Sequence, residues 1–373
     1  MEKCGLAIGL DAKRIVRNGT GLGSYGRTLV NDIARDQEVG LRLYAPDAGR
    51  DDLRNQITMR PNVTFCYPQP SSMPFYKALW RTKGIVSDLR RDGVDIYHGL
   101  SGELPLGISK TGIRSVVTIH DLIFLRHPEY YNWIDTKIYA WKFRQTIQEA
   151  DHIIAISECT KRDIMDYGHV DERKISIIYQ SYSPRFKHIA GKPLPYQLPR
   201  RYILSVGSIE ARKNILLAVK ALLRLPEDIS LVIVGRRTPY TDVVDKFIAD
   251  NNLGQRVLIL NHVTDEQLPA IYAGAEVFVY PSRYEGFGIP IIEAIGCRLP
   301  VVACMGSCLE EAGGPDSLYV DPDDDKAMAN AISQMLRGAD GREQRIASSS
   351  EYIRRFEGQD VAGQVINLYR SLL

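Results

Sequence analysis

The sequence predicts an α/β fold of two doubly wound, Rossmann-like domains that face a cleft. Short apolar runs alternate with amphipathic segments along the whole chain, which is typical of βαβ units and parallel sheets. The length of 373 residues is enough for two domains of ordinary size. Near the middle, residues 188–201 hold three prolines and show no periodicity, as linkers do.

The first half of the chain predicts seven strands with helices between them. The strands are placed at 6–10, 41–45, 63–67, 95–99, 115–120, 152–157 and 175–179. The helices are placed at about 24–35, 76–91, 136–149 and 158–167. These elements define an N-terminal domain over 1–187, which the linker at 188–199 follows.

The second half repeats the alternation with six strands. They are placed at 202–207, 230–235, 256–260, 277–282, 300–304 and 317–321, and the helices at about 213–224, 241–252, 265–273, 290–297 and 324–337, before a helical run over 342–373. We predict a C-terminal domain over 200–355 and a terminal helix, 356–373, that returns to the N-terminal domain. Ligands of open parallel sheets bind at the carboxyl ends of the strands, so residues that follow strands are the candidates for a site.

Composition is that of a globular protein, with 45% hydrophobic and 25% charged residues. No apolar run approaches the roughly 20 residues that cross a bilayer, and the N-terminus lacks the pattern of a secretory signal, so we expect a cytoplasmic protein. The six cysteines form no CxxC pair and no His cluster accompanies them, so neither a disulfide framework nor a metal site is expected.

Charge is unevenly distributed, because residues 1–187 hold 27 Lys and Arg against 22 Asp and Glu. One interpretation is peripheral contact with an anionic inner membrane face, with the aromatic and basic segment 75–84 as the candidate. The alternatives are a solvated face with scattered charges and, for 75–84, an amphipathic helix packed on its own domain. No clustered basic stripe of the kind that binds nucleic acid is present.

A glycine-rich stretch near the N-terminus matches a known spacing. Gly21, Gly23 and Gly26 form G-x-G-x-x-G, and Asp47 follows 21 residues after the last of them, as in the dinucleotide fingerprint. That fingerprint places its first glycine directly after a strand, whereas ten residues separate Leu10 from Gly21. The spacing therefore disfavours an NAD-dependent oxidoreductase and favours a loop whose amides meet a phosphate at the start of a helix near Ser24; a flexible surface loop is the alternative.

Polar side chains also follow other predicted strands. His120 ends the strand at 115–120 and is a candidate to hydrogen-bond a phosphate or a sugar hydroxyl. In the second half, Gly207 and Ser208 follow the first strand, and Arg212 and Lys213 come just before the next helix. Two cations beside a helix N-terminus form a strong anion site, because the helix dipole and the charges act together.

The stretch "YPSRYEGFGIPIIEA" (280–294) places two glutamates, Glu285 and Glu293, around a glycine-rich turn. Glycine lets the backbone approach a ligand closely, and Pro290 suits the first turn of a helix. The loop from Gly286 through Phe287 and Gly288 to Ile289 is therefore a candidate to direct amides at an anion. With a carboxylate on each side to accept hydrogen bonds from polyols, the pattern predicts a nucleotide diphospho-sugar as the ligand.

These motifs resemble the GT-B-fold retaining glycosyltransferases of family 4, whose hallmark is E-x7-E, here Glu285 to Glu293. The resemblance covers nearly the whole chain, including "TIHDLIFLRHPEYY", "AISECTKRDI", "SVGSIEARKNI" and "VFVYPSRYEGFGIPIIEA". It implies that Glu285 holds the hydroxyls of the donor sugar, Glu293 the ribose and Lys213 the diphosphate, with His120 at the sugar or its phosphate. It also implies that the domain over 1–187 is the acceptor side and that the domain over 200–355 binds the nucleotide sugar.

Two positions depart from the family pattern. Many members carry arginine directly after the strand-end glycine, where this chain has Ser208, and Arg212 is the candidate to supply that charge. Many also have a "GVD" turn near the end of the first domain, where this chain reads "QSYSPRF" (180–186), and no ligand role is assigned to that turn.

The resemblance implies retaining transfer of a hexose by front-side attack of an acceptor hydroxyl. We expect no metal or other cofactor, because no Asp-x-Asp pair is among the candidate site residues and two cations take that place. It is nearest to bacterial mannosyltransferases of O-antigen or exopolysaccharide synthesis, so GDP-mannose is the expected donor and a saccharide or lipid-linked saccharide the expected acceptor. A UDP-sugar donor is the main alternative. A nucleotide-sugar epimerase or hydrolase, an NAD-dependent oxidoreductase and a non-catalytic sugar-binding protein are the alternatives from other classes.

Overall fold

The structure is a computed structural model, and it describes residues 5–70, 75–187 and 197–373. Of the predicted linker, residues 188–196 lie outside the described residues. Two compact units are formed, Met1–Tyr179 with Asp360–Leu373, and Gln180–Gln359. Residues 180–187, which the sequence assigned to the first domain, lie in the second unit.

The first unit is built on a parallel sheet of seven strands in the order β3-β2-β1-β4-β5-β6-β7. The strands are β1 Leu6–Asp11, β2 Val39–Tyr44, β3 Val63–Cys66, β4 Ile96–Gly99, β5 Arg114–Ile119, β6 His152–Ala155 and β7 Ile175–Ile177. The direction of the strand order reverses between β1 and β4, which is the topological switch point where open α/β sheets bind ligands.

The second unit is built on a parallel sheet of six strands in the order β10-β9-β8-β11-β12-β13. The strands are β8 Tyr202–Val206, β9 Ser230–Val234, β10 Val257–Leu260, β11 Val277–Tyr280, β12 Val301–Cys304 and β13 Leu318–Val320. Here the switch point lies between β8 and β11. The predicted α/β class, with two doubly wound parallel sheets, is therefore confirmed.

The helices complete the βαβ units. They are α1 Lys13–Arg17, α2 Gly21–Ile33, α3 Asp51–Arg54, α4 Tyr76–Leu79, α5 Ile85–Arg91, α6 Ile123–Arg126, α7 Trp133–Glu149, α8 Glu158–Gly168, α9 Ile215–Leu222, α10 Thr241–Asp250, α11 Leu268–Gly274, α12 Ile289–Gly296, α13 Leu309–Gly313, α14 Asp325–Ser333, α15 Arg342–Tyr352 and α16 Val361–Ser371. A π-helical segment, Trp80–Gly84, joins α4 to α5. Among the described residues, no helix has the length and apolarity that a membrane span requires.

Both faces of the first sheet are buried, which is why its strands read as continuous apolar runs. Val116 packs in the cluster under α1, α2 and α16, whereas its neighbour Val117 packs in the cluster under α5 and α7. Successive strand residues point to opposite faces, so each run supplies two cores. In the second unit, α9 and α14 pack on one face of the sheet through residues such as Ile215 and Ile332.

Candidate active site

Two basic residues follow the first strand of the second sheet. β8 ends at Val206, and Arg212 and Lys213 come at the end of the loop that leads into α9. Asn214, the N-cap of α9, has φ 53°, a left-handed conformation that Asn tolerates better than most residues. Its side-chain amide donates to the carbonyl oxygen of Pro322 at 2.8 Å. This fixed turn holds Lys213 near the carboxyl end of the strand.

The loop after β11 carries Glu285 to these cations. The backbone N–H of Arg283 donates to the carbonyl oxygen of Arg212 at 3.0 Å, and Nη1 of Arg212 donates to the carbonyl oxygen of Tyr284 at 2.5 Å. These bonds join the two loops that follow β8 and β11. Because those strands are neighbours at the switch point, Lys213 and Glu285 come into contact although they are 72 positions apart.

Glu285 forms ion pairs with both cations. Its Oε1 lies 2.5 Å from Nζ of Lys213 and its Oε2 lies 3.0 Å from Nη1 of Arg212. The hydroxyl of Tyr280, the last residue of β11, accepts from Nζ of Lys213 at 3.0 Å and donates to Oε1 of Glu285 at 3.3 Å. The exposed fraction is 16% for the side chain of Arg212, 18% for Lys213 and 12% for Glu285. Two cations and one carboxylate are thus held together with little access to water.

The ion pairs decide the charge state of these groups. Burial by itself would raise the pKa of Glu285, but Lys213 and Arg212 outweigh it and lower that pKa to about 2. Burial would likewise lower the pKa of Lys213, and the carboxylate of Glu285 raises it instead. Both groups are therefore charged at neutral pH, and the cluster keeps one net positive charge.

Glu293 lies in α12 and has a different environment. The hydroxyl of Tyr272 donates to its Oε2 at 3.3 Å. Burial raises the pKa of Glu293 to about 7, although the bond from Tyr272 and the charge of Arg185 act in the opposite direction. The two glutamates of the E-x7-E motif therefore have opposite pKa shifts.

The glycine-rich loop leads into α12 as the sequence predicts. Gly288 is the N-cap of α12, Ile289 is its first residue and Pro290 lies in its first turn. A Cβ on Gly288 would lie 2.8 Å from the Cβ of Ala312, so glycine allows the close approach of α13. The side chain of Phe287 is buried and lies edge-on to Phe356, with ring centroids 5.3 Å apart. Phe287 could therefore contact a ligand through its backbone alone.

Gly207 and Ser208 shape the loop after β8. Gly207 has φ +150°, a conformation that favours glycine. A Cβ on Gly235 would lie 1.9 Å from the carbonyl oxygen of Gly207, so glycine is needed at Gly235 as well. The hydroxyl of Ser208 donates to Oε1 of Glu210 at 2.6 Å. Ser208 thus stabilises its own loop, and Arg212 is the residue that supplies a guanidinium to the cluster.

The other predicted site residues lie in the first unit. Gly21 and Gly23 are part of α2, so the helix begins at Gly21 and the prediction of a loop ending near Ser24 is wrong by one turn. A Cβ on Gly23 would lie 1.9 Å from the carbonyl oxygen of Asn18, whereas nothing lies within 4 Å of a Cβ on Gly21. Gly23 is thus required for packing, and Gly21 is not.

His120 follows β5 and packs against α2. Its ring lies edge-on to that of Tyr25 with centroids 4.9 Å apart, and its Nε2 is 2.9 Å from the carbonyl oxygen of Leu100. Burial lowers the pKa of His120 to about 4, so the ring is neutral at pH 7. Because a carbonyl can only accept, the proton resides on Nε2, and Nδ1 is an acceptor.

Sequence reasoning missed three side chains of this region. Tyr280 could have been found, because it ends the "VFVYPS" strand next to a motif residue. Tyr272 and Arg185 gave no comparable pattern, since they reach Glu293 only through tertiary packing. Among the described residues, no group of three or more His, Cys, Asp or Glu side chains is arranged to hold a metal ion.

Comparison with known proteins supplies a family context. Residues 192–351 match the family model described as "Glycosyl transferases group 1", and residues 19–184 match that described as "Glycosyltransferase Family 4". The chain is 29% identical to O-antigen chain mannosyltransferase B of Escherichia coli, over 95% of this chain and 96% of that protein. It is also 29% identical to the O-antigen chain mannosyltransferase RfbU of Salmonella typhimurium, over 68% and 69% of the two chains.

Solved structures agree on the fold. The structure of sucrose-phosphate synthase from Thermosynechococcus elongatus superposes with a TM-score of 0.77 at 20% identity, over 98% of this chain and 99% of that chain. At this identity the likeness speaks to the fold alone.

Proposed function

Because the chain belongs to glycosyltransferase family 4, we propose that it transfers mannose from GDP-mannose to an acceptor hydroxyl with retention at the anomeric carbon. Its GT-B fold and its two family models make it a glycosyltransferase. The mannosyl specificity is supported by the names of its relatives, which include O-antigen chain mannosyltransferases of two bacteria. The acceptor we propose is a saccharide or lipid-linked saccharide of a surface polysaccharide.

The observation that carries this proposal is the cluster of Arg212, Lys213 and Glu285 between the carboxyl ends of β8 and β11. Transfer breaks the bond between the anomeric carbon and a phosphate oxygen, so negative charge develops on the leaving diphosphate. A guanidinium and an ammonium that are held in place and fully charged stabilise such a leaving group electrostatically. The amides at the start of α12 supply further donors.

We propose that the donor diphosphate takes over part of the interaction that Glu285 now makes with the two cations. The carboxylate would then be able to accept hydrogen bonds from the hydroxyls of the donor sugar. The acceptor oxygen forms the new bond to the anomeric carbon, and its proton passes to the oxygen of the leaving phosphate. The two cations replace the charge that a metal ion provides in other transferases, and we propose that the reaction needs none.

The charge states assign different tasks to the remaining candidates. Neutral His120 carries no charge that would pair with a phosphate at pH 7, so we propose that it lies at the sugar rather than at the diphosphate. Glu293, with a pKa of about 7, changes its charge readily, and hydroxyl donors from a ribose would favour its ionised form.

A dinucleotide-dependent oxidoreductase fits the structure poorly. Gly21 and Gly23 lie inside α2, with α1 between that helix and β1, whereas the fingerprint needs its first glycine in the turn directly after the strand. Asp47, which would hold a ribose, is paired with Arg17 and Lys77.

The experiment combines a thermal-shift panel of GDP, UDP and ADP with a transfer assay. A nucleotide that binds the folded state at 100 times its Kd stabilises it by about 2.7 kcal/mol, so GDP should raise the Tm most. Transfer from GDP-mannose to a mannose-terminated acceptor should give an α-linked product by NMR.

Lys213→Met should abolish both the thermal shift and the transfer. The matched variant Lys246→Met, of a lysine that is 74% exposed on α10, should leave both unchanged. A larger shift with UDP would overturn the donor, and an inverted product would overturn retention.

Peripheral membrane contact through 75–84 is a separate proposal. Phe75 and Leu79 are exposed by 87% and 60%, but Trp80 is buried and Arg81 is engaged by Asp11 and Glu103. We propose that only the side chains of Phe75 and Leu79 contact the membrane. Vesicles of anionic phosphatidylglycerol should sediment the wild-type chain and leave the double variant Phe75→Ser, Leu79→Ser in solution; equal sedimentation would contradict the proposal.

A further inference from the structure

Ser282 is a buried serine beside the cluster of Arg212, Lys213 and Glu285. It follows the last residue of β11 by two positions and precedes Glu285 by three, and it is 1% exposed. Among the residues that the structure describes, its hydroxyl has no partner at hydrogen-bonding geometry. Most buried polar side-chain atoms have such a partner, so a buried hydroxyl without one needs an explanation.

The hydroxyl of Ser282 lies close to the carboxylate of Glu285. Burial raises the pKa of Glu285, and this hydroxyl acts together with Lys213 and Arg212 to lower it. Within the described ranges, the carboxylate receives one contact each from Lys213, Arg212 and Tyr280. An ionised carboxylate has about four acceptor positions, so one is left for a further donor. Ser282 is therefore beside a suitable acceptor with which it does not form a full hydrogen bond.

The backbone on both sides of Ser282 is fixed. The carbonyl oxygen of Pro281 accepts from the thiol of Cys304 at 3.2 Å, and Cys304 ends β12 and is fully buried. The N–H of Arg283 donates to the carbonyl oxygen of Arg212 at 3.0 Å. The hydroxyl of Ser282 can therefore change its partner by rotation of the side chain, without a movement of the loop.

The space beside Ser282 is too small for a ligand group. Its lining includes Gly207, Ser208, Lys213 and Tyr280 as well as Ser282, and its volume is about 10 Å³. A single water molecule needs about 10–15 Å³, so a phosphate or a sugar does not fit. The group that becomes the partner of this hydroxyl must therefore be a neighbouring side chain rather than the donor substrate.

Binding of a diphosphate would change the donors that reach Glu285. In the function proposed above, the anion takes over part of the interaction with Lys213 and Arg212, and the carboxylate loses those donors. A buried carboxylate that lacks donors tends to gain a proton, because burial disfavours its charged form. A hydroxyl that already lies beside the carboxylate can replace one of the lost donors.

We propose that Ser282 is a positioning residue, whose hydroxyl donates to the carboxylate of Glu285 when a diphosphate occupies Lys213 and Arg212. This hydrogen bond keeps Glu285 ionised and oriented toward the hydroxyls of the sugar in the ligand-bound state. The inference rests on the proposed function to the extent that a diphosphate must bind the two cations. It does not depend on which nucleotide or sugar the donor carries.

The test measures two properties of the whole chain: the melting temperature without ligand, and the binding of inorganic pyrophosphate by isothermal titration calorimetry. Ser282→Ala should melt at the temperature of the wild type or slightly above it, because the hydroxyl that it removes has no full hydrogen bond in the free protein. The same variant should bind pyrophosphate about tenfold more weakly, as expected when a hydrogen bond to a charged group is lost from the bound state.

Ser307→Ala is the matched control. Ser307 is 8% exposed, its hydroxyl also has no partner within the described part of the chain, and it does not line the space beside Lys213. This variant should leave the affinity for pyrophosphate unchanged. A double-mutant cycle then tests whether Ser282 acts through the carboxylate, since Ser282→Ala should cause no further loss of affinity in a Glu285→Ala background.

The other outcomes contradict the proposal. A lower melting temperature with unchanged affinity would assign Ser282 a structural role, and an equal loss of affinity in the Glu285→Ala background would show that it acts on the anion directly. An equal loss in Ser307→Ala would show that the effect is not specific to Ser282. If pyrophosphate does not bind the wild type, the exchange of donors does not take place. If the coupling is observed but transfer from GDP-mannose is not, the role of Ser282 stands and the assigned reaction fails.

Discussion

Replacing Glu285 by Gln tests whether the cluster is held by charge. The substitution preserves shape but leaves the cations of Lys213 and Arg212, both under 20% exposed, without their carboxylate. Breaking a buried ion pair costs about 3–5 kcal/mol, and the residual exposure places this case at the lower end, about 3 kcal/mol. Because the pKa of Glu285 is about 2 in the folded chain and near 4.5 when unfolded, its stabilisation is present above pH 4.5 and is lost as the pH falls toward 2.

The assay is urea unfolding followed by far-UV circular dichroism at pH 7 and at lower pH. Asp250→Asn is the matched control, because it removes a carboxylate from the exposed pair with Lys246 on α10, and exposed helix pairs contribute under about 0.5 kcal/mol. Glu285→Gln should lose about 3 kcal/mol at pH 7, and the gap to wild type should narrow as the pH falls through 4 toward 2. GDP should restore part of the loss, since its diphosphate supplies the missing anion. A loss no larger than that of Asp250→Asn would refute the reasoning.

Three further outcomes are expected. Burial raises the pKa of Glu293 to about 7, so the stability that this group contributes below pH 4.5 is lost as the pH rises through 7. The free energy of unfolding of Glu293→Gln, measured in urea, should therefore exceed that of the wild type by about 2 kcal/mol at pH 8 but not at pH 5. Gly23→Ala, whose Cβ would lie 1.9 Å from the Asn18 carbonyl, should destabilise by about 2–3 kcal/mol, whereas Gly21→Ala should be neutral or slightly stabilising in the same melts. Tyr280→Phe removes a hydrogen bond to a charged amine and should lower kcat/KM for transfer about tenfold, without a change in Tm.

The sheets could be predicted from the sequence because both of their faces are buried. All thirteen strands of the described residues coincide with predicted apolar runs, and the usual error is one or two residues too many at the carboxyl end, as at 277–282 against Val277–Tyr280. The helix boundaries were harder. The start of α2 was misplaced because glycines were interpreted as a loop, although Gly23 is present to let a helix pass close to a carbonyl group.

The site could be predicted only in part. The pattern around Glu285 and Glu293 predicts a ligand with hydroxyls at both ends, and Lys213 is predicted to bind its phosphates; both stay predictions. The contact between Lys213 and Glu285 could not be foreseen, because it depends on β8 and β11 being neighbours, although 70 residues lie between Val206 and Val277 and β9 and β10 intervene. The tertiary packing that brings Tyr272 to Glu293 was equally invisible in the pattern.

The opposite pKa shifts of the two motif glutamates favour a catalytic interpretation over a purely structural ion pair. A buried ion pair seldom stabilises a fold more than apolar side chains of the same volume would, so stability alone does not explain why Glu285, Lys213 and Arg212 occupy the switch point. Eight positions away, Glu293 is held with a pKa of about 7 beside a tyrosine. Environments that push the pKa values of neighbouring acids apart are typical of sites in which the acids have different tasks. Glu285 balances the charge of the two cations, a role that a diphosphate would take over. Glu293 would ionise when hydroxyl donors reach it. Binding of a nucleotide sugar should therefore release a proton from the wild type and none from Glu293→Gln.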